Sequence, residues 1–157
     1  MRREALIWAI NRAEELADAS CRLPGDVRLL FEHARQAAAG ERSAEEVLVA
    51  IEQTTGPKRA ESEDGQPLNC LDVAWTGLAQ MFPGGCRSSC AAPSGHLAAM
   101  ARTTALRLAE ARIHGSSALT QHEVNKALIS KRSDIFRNAD AAARAELELC
   151  AQMGLEV

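Results

Sequence analysis

Residues Leu68–Phe82 read LNCLDVAWTGLAQMF, with Asp72 as the single charge. Over the longer stretch from Leu68 to Ala101 only Asp72 and Arg87 are charged, although charged residues make up 25% of the chain. A helix that is apolar around most of its circumference has to be enclosed by protein, because no side of it suits water. The stretch therefore predicts a central helix with Leu71, Trp75, Leu78 and Phe82 at the heart of the core. The expected fold is all-α, a compact bundle of six or seven helices around residues 68–82.

Working outward, composition supports the same class. Alanine is abundant, tyrosine is absent, and the aromatics are Trp8, Phe31, Trp75, Phe82 and Phe136. Ala, Leu, Glu and Arg favour helix, whereas strands need β-branched and aromatic side chains. With 157 residues the chain is long enough to bury a sizeable core.

Residues 1–55 read as a three-helix unit. The first helix, from about Arg3 to Cys21, sets Leu6, Ile10, Ala13, Ala17 and Cys21 on one arc. Trp8 falls nearly opposite, between Arg12 and Glu15. Pro24-Gly25 breaks the chain, Asp26 offers an N-cap, and the second helix ends at Gly40. Ser43 and Glu46 form a capping-box pattern that opens the third helix, and Gly56-Pro57 predicts its end. Residues 56–67, GPKRAESEDGQP, are charged and turn-rich, which predicts an exposed linker.

Residues 68–157 then supply the central helix and the C-terminal helices, packed with residues 1–55 as one domain. A helix over about 96–114 ends at Gly115, and Thr120 with Glu123 makes a second capping box. Apolar periodicity resumes from Ser133 to Met153, so residues 120–153 read either as one bent helix or as two, with the break at Ser130–Ser133.

Charge is unevenly spread. Residues 1–65 hold nine Lys/Arg against thirteen Asp/Glu, whereas residues 102–137 hold seven against three. The second half thus suits an anionic partner, although solvated helix faces give the same pattern. No apolar run approaches membrane-spanning length, and residues 1–20 lack the apolar region of a signal peptide. Five cysteines at irregular spacing do not read as a secreted disulfide framework. The expectation is a cytoplasmic protein with reduced thiols and no membrane partner.

Chemistry-bearing constellations are sparse. Cys70, Cys86, Cys90 and His96 have the ligand types of a zinc site, but two scattered members and a three-residue Cys86–Cys90 spacing fit a zinc knuckle poorly. The expectation is small thiols beside a core, with no metal and no cofactor. No phosphate-binding glycine loop, His-Glu-x-x-His helix or nucleophile elbow is present, and nothing selects a Cys–His pair, so an enzyme is not expected.

Two local patterns stand out in the C-terminal half. Arg107-Leu108-Ala109-Glu110-Ala111, then Leu119-Thr120, Glu123-Val124 and Ala127-Leu128, lie within Arg102–Leu128. This resembles the helix–loop–helix of histone-fold proteins and of the lid domains of AAA+ ATPases; with no Walker motif in the chain, no ATPase is implied. Thr120–Arg137, TQHEVNKALISKRSDIFR, resembles a helix-turn-helix. That resemblance implies a recognition helix opening at Ser133, with Lys131, Arg132 and Arg137 at phosphates, Asp134 near bases, and Lys126 as a further nucleic-acid contact. Ile129 stands where the turn glycine belongs.

The favoured reading is a non-enzymatic helical protein that acts by binding another protein, with self-association as a further option. In composition it resembles accessory, inhibitor and immunity proteins of bacteria and of phages or other mobile elements. Trp8, Arg12 and Glu15 are the candidate interaction patch, Trp being a frequent interface anchor; the competing expectation packs Trp8 under the chain's own C-terminal helix. A DNA-binding regulator using residues 120–137 is the first alternative, and a Cys/His-dependent enzyme or zinc protein the second.

Overall fold

A computed structural model of the chain describes residues 3–20, 22–61, 78, 92–115 and 120–155, with the backbone alone given for residues 20 and 55–61. These residues are almost wholly helical, and no strand occurs among them. They form α1 (Arg3–Ser20), α2 (Gly25–Ala39), α3 (Ala44–Glu61), α4 (Pro93–His114) and α5 (Gln121–Gln152). The all-α class is as expected. The described residues hold five helices rather than six or seven.

The helix ends follow from local chemistry. At the start of α3 the Ser43 amide donates to Glu46 Oε2 at 3.0 Å, and the Glu46 amide donates to Ser43 Oγ at 3.2 Å. The same reciprocal pair recurs before α5, where the Thr120 amide donates to Glu123 Oε2 at 2.7 Å and the Glu123 amide to Thr120 Oγ1 at 3.3 Å. Each box satisfies amides that the helix itself leaves orphaned. Gly40 closes α2 with φ of 82°, a left-handed conformation in which a side chain would be strained.

Two boundaries differ from the sequence reading. Pro24, not Asp26, is the N-cap of α2; its fixed φ already suits a helix entry, and the Asp26 side chain turns back to its neighbour's amide at Val27. The third helix does not stop at Gly56-Pro57 but continues to Glu61. Proline lacks a donor and crowds the preceding turn, so this costs the helix a bond without ending it. The expected linker over 56–67 therefore begins as helix, and its remainder lies outside the described residues.

The open choice between one helix and two over residues 120–153 bears on function. Residues 121–152 form one unbroken helix, passing through Ile129 and through Ser130–Ser133. Ser130 Oγ donates to the Ala127 carbonyl at 3.1 Å, so its hydroxyl is satisfied within the helix rather than by breaking it. The turn implied by the helix-turn-helix resemblance is absent from this backbone, and Ser133 opens no new helix. Arg102–Leu128, the other local pattern, spans the end of α4 and the capped start of α5, and residues 116–119 between them lie outside the described residues.

Packing centres on α1, which touches both α2 and α4; α2 continues to α3, and α4 pairs with α5. Ala5, Ala9, Ile10, Ala13, Leu16 and Ala17 bury one side of α1, and Phe31, Leu30 and Val27 of α2 meet them in a single cluster. Small residues on α1 let the neighbouring helices approach closely, which concentrates dispersion contacts. Of the expected central helix, only Leu78 lies among the described residues. It is helical, fully buried and part of this same core.

Candidate functional site

α4 and α5 are joined by a short connection and run antiparallel: Arg102 Nε donates to Asp140 Oδ1 at 2.8 Å, while Leu106 lies near Phe136 farther along the pair. At 1.5 Å per residue α5 is about 48 Å long and α4 about 33 Å. Among the described residues, one end of this hairpin is anchored in the main core. Leu97, Met100 and Ala101 of α4, with Cys150 of α5 and Leu155 beyond it, belong to the main core. Ile113, Val124 and Ala139 are also buried, but outside that core, within the hairpin itself.

The anchored end is fixed by polar bonds as well as by packing. Thr104 Oγ1, buried, donates to the Leu16 carbonyl on α1 at 3.0 Å. Arg12 of α1 donates from Nε and Nη2 to the two carboxylate oxygens of Glu146 on α5, at 2.8 and 2.9 Å. Glu146 is nearly inaccessible, and its hydrogen bond raises the Arg12 pKa and keeps the guanidinium charged.

At the other end no third layer covers the pair among the described residues. Between α4 and α5 runs an open groove of about 320 Å³. Its floor and walls are apolar, from Leu106 on one side and Leu128, Ile129, Ile135 and Phe136 on the other. Ile129 is 75% exposed, the highest value among the exposed large hydrophobics. Leu106, Leu128, Ile135 and Phe136 are half-buried. Two packed helices can bury one stripe each, and Leu128-Ile129 and Ile135-Phe136 are adjacent pairs spaced seven apart, so each pair supplies a second stripe beyond the seam.

The rim of the groove is mainly basic. Arg132 lines it, with its guanidinium 5.4 Å from the centre of the Phe136 ring, and Arg102 approaches the same ring at 5.5 Å. Glu110 is the acidic lining residue. Helical register places Lys126, Ser133 and Arg137 along the outer flank beside Ile129, and both Lys126 and Arg137 are exposed. Arg137 reaches Asp134 at 3.5 Å with both side chains largely in water, a weak pairing. Lys131 is exposed on another side of α5, so the four cations Lys126, Lys131, Arg132 and Arg137 do not make a single reading face.

The three residues of the expected interaction patch all make contacts within the chain. Trp8 is half-buried and packed against the core, and Arg12 is committed to Glu146. Glu15 is exposed and accepts from Arg12 Nη1 at 2.9 Å. The arc opposite Ile10 on α1 is therefore partly covered from within the chain.

Of the candidate metal ligands, Cys70, Cys86 and Cys90 lie outside the described residues. His96 sits on α4, half-buried, with Nε2 enclosed and lacking a hydrogen-bond partner among the described residues; burial lowers its pKa. No group of three or more potential ligands gathers among the described residues. Cys150 is fully buried in the core, and desolvation pushes its thiol up to about 11. No described helix is long and apolar enough to cross a membrane.

The turn register of the helix-turn-helix pattern makes Ile129 an ill-suited turn residue and hides its place in the groove. The paired apolar doublets were the signal available for it. Searches of family models, curated proteins and solved structures return no match to this chain.

Proposed function

We propose that this protein acts as a non-enzymatic binding module, taking a helix of a partner protein into the groove between α4 and α5. One observation carries the reading: the free half of the hairpin presents an apolar groove headed by Ile129, 75% exposed, with no described residue packed over it. Two antiparallel helices with an open apolar flank are two-thirds of a three-helix bundle. A third helix supplied in trans completes the layer by burying the second stripe, which is the helix-in-groove mode of recognition. The anchored half gives the rigidity that such a site needs, since Arg12–Glu146 and Thr104–Leu16 tie both helices to α1.

A photo-crosslinking side chain placed at position 129, in the cells that make the protein, tests this. The expected result is a discrete adduct with a second protein at position 129 and none at Glu148, an exposed position near the anchored end. Adducts at both positions alike, or at neither, contradict it.

A further inference from the structure

Resting on that reading, we infer that the helix taken by the groove is amphipathic and acid-flanked: apolar residues on one stripe, Asp and Glu on its borders. The groove has room for a few side chains, since about 320 Å³ is of the order of two or three leucines. These anchors supply affinity, but an apolar trough accepts almost any apolar stripe, so choice has to come from the rim.

That rim has a definite sign. Arg132 lines the groove, and helical register sets the exposed Lys126 and Arg137 on the flank of α5 beyond Ile129. Arg107 follows Leu106 on the α4 side and is half-buried. Against these stands Glu110. Asp140, the other nearby acid, is engaged by Arg102, and Asp134 is within reach of Arg137. With Arg137 and Asp134 offsetting each other, an incoming helix thus meets Arg132, Lys126 and Arg107 against the lining carboxylate of Glu110.

The same charges argue against a second copy as occupant. A two-fold pairing would bring Lys126, Arg132 and Arg137 toward their own counterparts, and like charges across an interface oppose association. A separate acidic helix gains from every one of them. It is also drawn in by the whole segment, because residues 102–137 carry seven Lys/Arg against three Asp/Glu.

Two fluorescein-labelled synthetic peptides test this on the full chain. Each is a helix of roughly 18 residues with leucines at i, i+4, i+7 and i+11, long enough to be helical once bound. One has Glu on the stripe's borders and the other has Lys. Anisotropy at low salt should show the Glu peptide binding at least about tenfold tighter, with the preference shrinking as salt screens the rim. The Lys126→Glu/Arg132→Glu/Arg137→Glu variant should invert the order, and the single variant Lys126→Glu should weaken the preference without threatening the fold. Equal binding of both peptides, lost in Ile129→Asp, overturns the charge rule and leaves the groove reading standing. Binding of neither overturns both. Displacement of the Glu peptide by duplex DNA, or a groove closed by self-association, also overturns the inference, since the occupant is then nucleic acid or a second copy.

Discussion

Arg12 of α1 meets Glu146 of α5 edge to edge, Nε on Oε1 at 2.8 Å and Nη2 on Oε2 at 2.9 Å, across 134 residues of chain. The pair is poorly solvated, Glu146 more so than Arg12, with side-chain exposures of 4% and 29%. It fixes the register of the long helix against the first. Removing one partner leaves a buried charge alone, which costs far more than the pair itself contributes.

Arg12→Met should therefore lower stability by about 3 kcal/mol in urea titration. The double variant Arg12→Met/Glu146→Leu should recover most of that loss, because two apolar side chains of similar volume need no solvation. A double variant as unstable as the single one would mean that the bond itself, rather than the orphaned carboxylate, sets the cost.

Thr104 tests the other tie between the hairpin and α1. Thr104→Val keeps the shape but loses the donor to the Leu16 carbonyl, and should cost about 1 kcal/mol. Thr104→Ser keeps the donor and should lie closer to wild type. Equal losses for Val and Ser would assign the effect to methyl packing.

Cys150 gives a pH signature. Its thiol is raised from 9.0 to about 11 by burial, with the nearby Glu146 carboxylate adding to the shift. The unfolded chain therefore releases this proton at lower pH than the folded one. The thiol's contribution is intact below about pH 9 and is lost as pH rises toward about 11. Denaturation midpoints should fall across that window and fall less in Cys150→Ala. At neutral pH the thiol should react with alkylating reagents only when the protein unfolds; rapid labelling of the native protein at Cys150 would contradict its burial.

The hairpin's one-sided packing can be tested by contrast. Ile113→Ala removes a side chain buried between the helices and should cost about 2–4 kcal/mol. Ile129→Ser removes a larger exposed apolar area, yet should leave stability within about 0.5 kcal/mol. Thermal melts of the two variants separate a structural isoleucine from one held for binding.

Local chemistry made much of this fold legible. Ser43/Glu46 and Thr120/Glu123 predict helix starts because a side chain and an amide three residues away must meet, whatever the rest of the chain does. Gly40 predicts a helix end for the same reason. Legibility ends where local preference is weak beside helix continuity. At Ser130–Ser133 local sequence leaves one helix or two open, because serine can also bond back into its own helix; the flanking Leu128 and Ile135 stay in register with α4. Gly56-Pro57 looked like a stop, but a proline costs a helix about 3 kcal/mol and does not forbid it. Arg12–Glu146 left no local trace at all, because only the finished packing brings α1 and α5 together. For Trp8 the sequence leaves partner site and intramolecular packing both open, because a single helix cannot show what covers its polar side.

The most direct test of the account is an NMR shift map of the isotope-labelled full chain on titration with the Glu-flanked peptide. Binding should move the amides and methyls of Leu106, Leu128, Ile129 and Ile135, and the Phe136 ring, while Ala9, Ile10 and Ala13 in the anchored core stay in place. A peptide that shifts nothing at these positions, or that shifts the Trp8 face of α1 instead, would contradict the groove as the binding surface.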